Sequence, residues 1–140
     1  MNGNAVWLFF AVPEWYFEAA FSPFSAGALS QIPLFGVISL MIGLVSGAVL
    51  KRKALFFLAI LPLLSQLLLI VAGVYRGQLK DGSDQPILLA FIVIQILVAV
   101  LLIYRLRGAR LPAFALSVFS ITYAFFAAFV ATMSFQDVWL

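Results

Sequence analysis

The chain has 140 residues, 66% of them hydrophobic and 9% charged, with a formal net charge of +3. Ordinary globular domains carry roughly 25% charged residues, so this composition excludes a water-soluble domain and points to a lipid-embedded helical protein. It contains neither cysteine nor histidine, which removes disulfides, thiolate chemistry, the usual zinc and haem ligands and the commonest general base.

The N-terminal stretch is expected to form a segment of its own, residues 1–32. Val6 to Val12 is apolar but too short to cross a bilayer, and no basic region precedes it as in a secretory leader. Pro13 suits the first turn of a helix, and Glu14 beside it favours the positive end of the helix dipole. Glu14, Glu18 and Ser22 share one helical face, while Trp7, Trp15 and Tyr16 favour headgroup level. Residues 14–21 therefore predict a short amphipathic helix lying in the interface. The rival reading is a full crossing over residues 5–24, which would bring two carboxylates into the membrane.

Residues 33–140 predict a four-helix transmembrane domain. The first span covers 34–50 behind Pro33, with room for a start near residue 26, and carries Gly43 and Gly47 as a G-x-x-x-G pair for close helix packing. The second, 54–75, holds about twenty consecutive uncharged residues, enough to cross ~30 Å of hydrocarbon. Pro62 should kink it by removing a backbone bond at Leu58. A polar loop over 77–85 leads to the third span, 87–104, behind Pro86. There Asp81 and Asp84 offset Arg76 and Lys80. The fourth span, 113–135, is rich in small and aromatic residues, with Ala124/Ala128 and Ala127/Ala131 as further small-residue pairs. Asp137 and Trp139 end it with a charge and an interface anchor. The fold expected is all-α: two antiparallel hairpins in one orientation, preceded by the interfacial helix.

Orientation follows from the bases. Lys51, Arg52, Lys53, Arg105, Arg107 and Arg110 make six of the eight Lys and Arg residues. They fall in two short loops that an even number of spans places on one side. Basic loops mark the cytoplasm of a bacterial inner membrane, so loops 51–53 and 105–112 are expected inside and both termini outside. These clusters set topology and contact anionic lipid. They do not indicate nucleic acid.

Gln66 and Gln95 lie about ten residues either side of the 77–85 loop. An antiparallel hairpin would bring them to one depth, bonded to each other. Glu14 and Glu18, an i, i+4 acidic pair, suit a cation or a basic partner. No phosphate loop, dinucleotide fingerprint, zinc-protease helix, calcium loop or serine elbow occurs, so neither a cofactor nor a metal is expected.

The basic-loop spacing and chain size resemble the small membrane subunit of tripartite tricarboxylate transporters, where IPLFGVISLMIGLVSGAVLKRK would occupy a comparable place. That family's glycine-rich later helix is missing here. The four-helix size is similar to small multidrug-resistance proteins, but here the carboxylates precede the first span. Neither likeness assigns a family. The function expected is a small noncatalytic subunit, with the lipid bilayer and other membrane chains as partners, docking through small-residue faces. A homo-oligomeric channel or carrier is the alternative, and a lipid-acting enzyme using Glu14 or Glu18 the third reading.

Overall fold

A computed structural model describes residues 3–21, 28–51, 53–79 and 83–137. It contains five α-helices and no strand among the described residues: α1 (Gly3–Phe21), α2 (Ala28–Leu50), α3 (Ile60–Val74), α4 (Asp84–Arg105) and α5 (Arg110–Gln136). Four of these regions, Gln31–Leu50, Leu55–Val74, Asp84–Arg105 and Arg110–Gln136, are long and apolar enough to cross a membrane. The chain is therefore an all-helical protein of membrane type.

The proline effects differ from residue to residue. Pro33 lies inside α2, which begins at Ala28; the span is a turn longer than its proline suggests. Pro13 likewise sits within α1 rather than at its start. It cannot donate to the carbonyl of Phe9, yet the helix runs through it, because packing on one face holds both halves in line. Pro62 lies in the first turn of α3, and the turns upstream of it, Lys53–Ala59, form a 3-10 helix that feeds directly into α3. Lys51 closes α2 in the left-handed region, at φ 48°. Arg52, Trp139 and the Ser22–Gly27 connection lie outside the described residues, as do Lys80 and Asp81.

The bundle is organised around α5. α2, α3 and α4 each pack along it, whereas α2 and α3 scarcely touch and α3 and α4 meet only sparsely. Serine and alanine make this possible. Ser117, Ser120, Ala124, Ala127, Ala128, Ala131 and Ser134 of α5 are all buried, and short side chains let neighbouring backbones come close. In its most apolar 18-residue stretch α5 is 44% buried, against 11% for α4. α4 therefore sits at the rim and presents Leu97, Val100 and Leu101 outward.

The pairings along α5 give the relative directions. Gly36 of α2 lies by Thr122 and Gly43 by Leu116, so α2 runs antiparallel to α5. Gln66 of α3 meets Tyr123, and Ser134 meets the carbonyl of Ala72, so α3 runs parallel to it. Asp84 meets Gln136, at the opposite end of α4 from Arg105, so α4 is antiparallel. The consecutive helices therefore alternate in direction, as hairpins require. Their main contacts are made to α5 rather than to each other.

α1 occupies the seam between α2 and α3 that this arrangement leaves open. It is longer than the 14–21 segment the sequence suggests and is packed against the bundle. Leu8, Val12, Tyr16 and Ala20, spaced by four, form its buried stripe with Val37, Leu69, Tyr123, Ala127 and Val130. Glu14 and Glu18 lie on the opposite, exposed face.

Candidate functional site

Tyr16 is the centre of the interior. Its side chain is fully buried, and its hydroxyl shares a 2.8 Å hydrogen bond with Thr122 Oγ1. Thr122 also donates to the carbonyl of Phe119 at 2.8 Å, so Tyr16 Oη is the donor in the shared bond. Edge-on rings surround the phenol: Phe119 at 6.0 Å, Tyr123 at 5.2 Å and Phe126 at 5.4 Å between centroids. Such pairs contribute about 0.5–1.5 kcal/mol each beyond area burial. The hydroxyl reaches Thr122 because residue 36 has no side chain; a Cβ there would coincide with Tyr16 Oη and Thr122 Oγ1.

Gln66 adjoins this cluster. Its Nε2 donates to Tyr123 Oη at 2.6 Å. Gln95 donates to the carbonyl of Leu61 at 2.9 Å and to Ser65 Oγ at 3.1 Å. The two glutamines each bond across helices but not to one another. The reason is rotational: consecutive residues on a helix point ~100° apart, so Ser65 faces α4 and Gln66 faces α5. Four buried polar atoms have no partner among the described residues, namely Gln66 Oε1, Gln95 Oε1, Asp84 Oδ1 and Ser117 Oγ.

Asp84 also departs from expectation. It is not a solvated loop charge. It is completely buried at the start of α4, with Oδ2 3.3 Å from Gln136 Nε2. The first-turn N–H groups and the positive end of the helix dipole favour a carboxylate there. Nearby, Arg76 and Asp137 form an exposed ion pair at 2.6 Å, and Gly77 N–H donates to the carbonyl of Ser134 at 3.0 Å. Together these contacts tie the far ends of α3, α4 and α5.

The small residues named from the sequence are occupied within the chain. A Cβ on Gly43 would lie 2.6 Å from Leu116 Cγ, and one on Gly47 would lie 3.0 Å from Leu55 Cδ1. Ala124, Ala127, Ala128 and Ala131 are buried in the bundle. Among the described bases, Lys51, Arg105, Arg107 and Arg110 are exposed. Arg107 folds back on Tyr104, donating to its hydroxyl at 2.8 Å with the guanidinium 4.9 Å from the ring centroid. Lys53 begins the 3-10 helix, its side chain lying outside the described set.

The seam between α2 and α3 is plugged by α1 on one side of the Tyr16 level and open on the other. The open part is a cleft of about 470 Å3, lined by Leu40, Gly43 and Gly47 of α2, Leu55 and Pro62 on the opposite wall, and Leu116 of α5 as floor. Its lining is overwhelmingly apolar, with Ser120 its single hydroxyl-bearing residue. No cluster of three or more metal-ligating side chains occurs among the described residues.

The chain matches no family model, no curated protein and no solved structure. Tyr16, Gln66, Gln95 and Ser134 bond across helices, which fixes the rotation and register of α1, α3, α4 and α5 against one another. Sequence reasoning missed the Tyr16–Thr122 bond, although the four-residue spacing of Leu8, Val12, Tyr16 and Ala20 opposite Glu14 and Glu18 is a legible sign of a packed face.

Proposed function

We propose that this chain is a small noncatalytic subunit of a larger bacterial inner-membrane complex. It has loops 51–53 and 105–112 in the cytoplasm and its termini outside. The observation that carries the reading is the outward placement of Glu14 and Glu18. Their helix is fastened through Tyr16 to Gly36 and Thr122. Counting about twenty residues outward from Lys51 places the edge of the hydrocarbon near Gln31. Gly36 then lies about 7–8 Å inside it. A carboxylate exposed to lipid near that depth costs up to about 2.5–3.5 kcal/mol. Hydrogen-bond donors or cations on a neighbouring chain remove that cost.

The small-residue face of α5 is buried inside the chain, so on this reading partners dock on the acidic face of α1 and the outer face of α4.

Gentle detergent extraction with native mass spectrometry tests this. Wild type is expected to retain unrelated chains, and the Glu14→Gln/Glu18→Gln double variant to release them while its thermal unfolding stays unchanged. A clean wild-type monomer refutes the proposal. A closed ring of identical chains refutes it in favour of a homo-oligomeric channel or carrier.

A further inference from the structure

We propose that the open cleft between α2 and α3 seats one acyl chain of an anionic phospholipid from the leaflet on the Lys51 side. The cleft runs from Ala48 up to Leu40 along α2. Eight residues of helix make about 12 Å, close to the hydrocarbon depth of one leaflet. Its inner end stops at Phe119 and Ser120, one turn short of the Tyr16–Thr122 bond. There α1 takes over the filling of the seam. The cleft is thus the unfilled half of a seam whose other half a helix occupies. Its depth matches a chain entering from one surface, not a molecule crossing the bilayer.

Charge identifies the headgroup. At the surface end, exposed Lys51 follows Ala48 by less than one turn and donates its N–H to that carbonyl at 3.3 Å. On the α5 side, Pro112 lies 4.0 Å from where a Cβ on Gly47 would be and brings the start of α5 up to this end of α2. A cation, Lys51, therefore stands at the entrance at headgroup level, where an anionic phosphate finds both electrostatic attraction and a hydrogen-bond donor. The acyl chain buries the exposed edge of Phe56, which is 83% accessible at the rim.

The test uses the full chain in a mild detergent with equal amounts of phosphatidylglycerol and phosphatidylcholine of identical acyl chains, read by native mass spectrometry. One phosphatidylglycerol per chain is expected to remain, in about fivefold or greater excess over phosphatidylcholine. Ala48→Phe/Ala59→Phe, which fills the cleft, should lower retention of both lipids to the detergent background, with circular dichroism unchanged. Lys51→Gln should keep the lipid but abolish the preference. Equal retention of the two lipids by wild type, or undiminished phosphatidylglycerol on the filled variant, overturns the proposal. A wild-type dimer that the filled variant dissociates also overturns it, assigning the cleft to a second copy. Should the filled variant fail to fold, phosphatidylglycerol with a photoactivatable acyl chain settles the matter on wild type. Labels confined to residues 40–48, 55–62 and 116–120 support the site, and labels spread evenly over α4 refute it.

Discussion

Replacing Gly36 by alanine is the sharpest test of how this bundle is held. The new methyl group would occupy the space now shared by Tyr16 Oη and Thr122 Oγ1. Neither can retreat easily. Tyr16 is fully buried and ringed by Phe119, Tyr123 and Phe126, and Thr122 is anchored to the carbonyl of Phe119. Overpacking a tight interior costs about 1–3 kcal/mol. Breaking the Tyr16–Thr122 bond adds about 0.5–1.5 kcal/mol. The expected destabilisation is therefore about 1.5–4.5 kcal/mol. Reversible unfolding in mixed detergent micelles, followed by near-ultraviolet circular dichroism, measures it. The companion is the same change in a Tyr16→Phe background, where the hydroxyl that blocks the methyl group is gone; the alanine should then cost at least about 1 kcal/mol less, the coupling expected of touching residues. A Gly36→Ala protein as stable as wild type, or equal costs in both backgrounds, would refute the packing described for α1.

Three further outcomes follow from the same geometry. Gln95→Leu removes bonds to Leu61 and Ser65 but also an unpaired Oε1, so the loss should stay near the ~0.6 kcal/mol average for such bonds in membrane helices and below ~2 kcal/mol; a loss well beyond that range in the same unfolding assay contradicts the account of α4. Arg76→Ala should cost less than about 1 kcal/mol, because an exposed ion pair gains little; a larger drop, or one insensitive to added salt, is the adverse result. Pro62→Ala restores a donor for the Leu58 carbonyl, so the 3-10 stretch should become α-helical and amide hydrogen exchange across 58–62 should slow; unchanged exchange would show that Pro62 is not what tightens those turns.

Much of this architecture is legible in the sequence, for a simple reason. Lipid demands about twenty apolar residues per crossing, so length and hydropathy alone place α2, α3, α4 and α5 to within a few residues. Helix rotation is far less legible. Gln66 and Gln95 were placed by counting along the axis, which says nothing of the angle around it, and one residue of offset sends the side chain to a different neighbour. The small residues were likewise recognisable as packing sites. Whether Gly43 meets another chain or Leu116 of its own depends on a contact between residues 73 positions apart. α1 was obscured because Pro13, Glu14 and Glu18 interrupt its hydropathy, whereas the bundle senses only the stripe from Leu8 to Ala20. The cleft has no local signature at all, being the space that three helices fail to fill.

The central position of α5 bears on how the protein is made. The ribosome delivers α1 to α4 before the helix on which three of them lean. Until Arg110 and the residues beyond it are inserted, α2, α3 and α4 have few contacts with one another, and α1 alone bridges α2 and α3. The rim helix α4 above all must wait in the lipid, so the bundle is completed only when its last helix arrives.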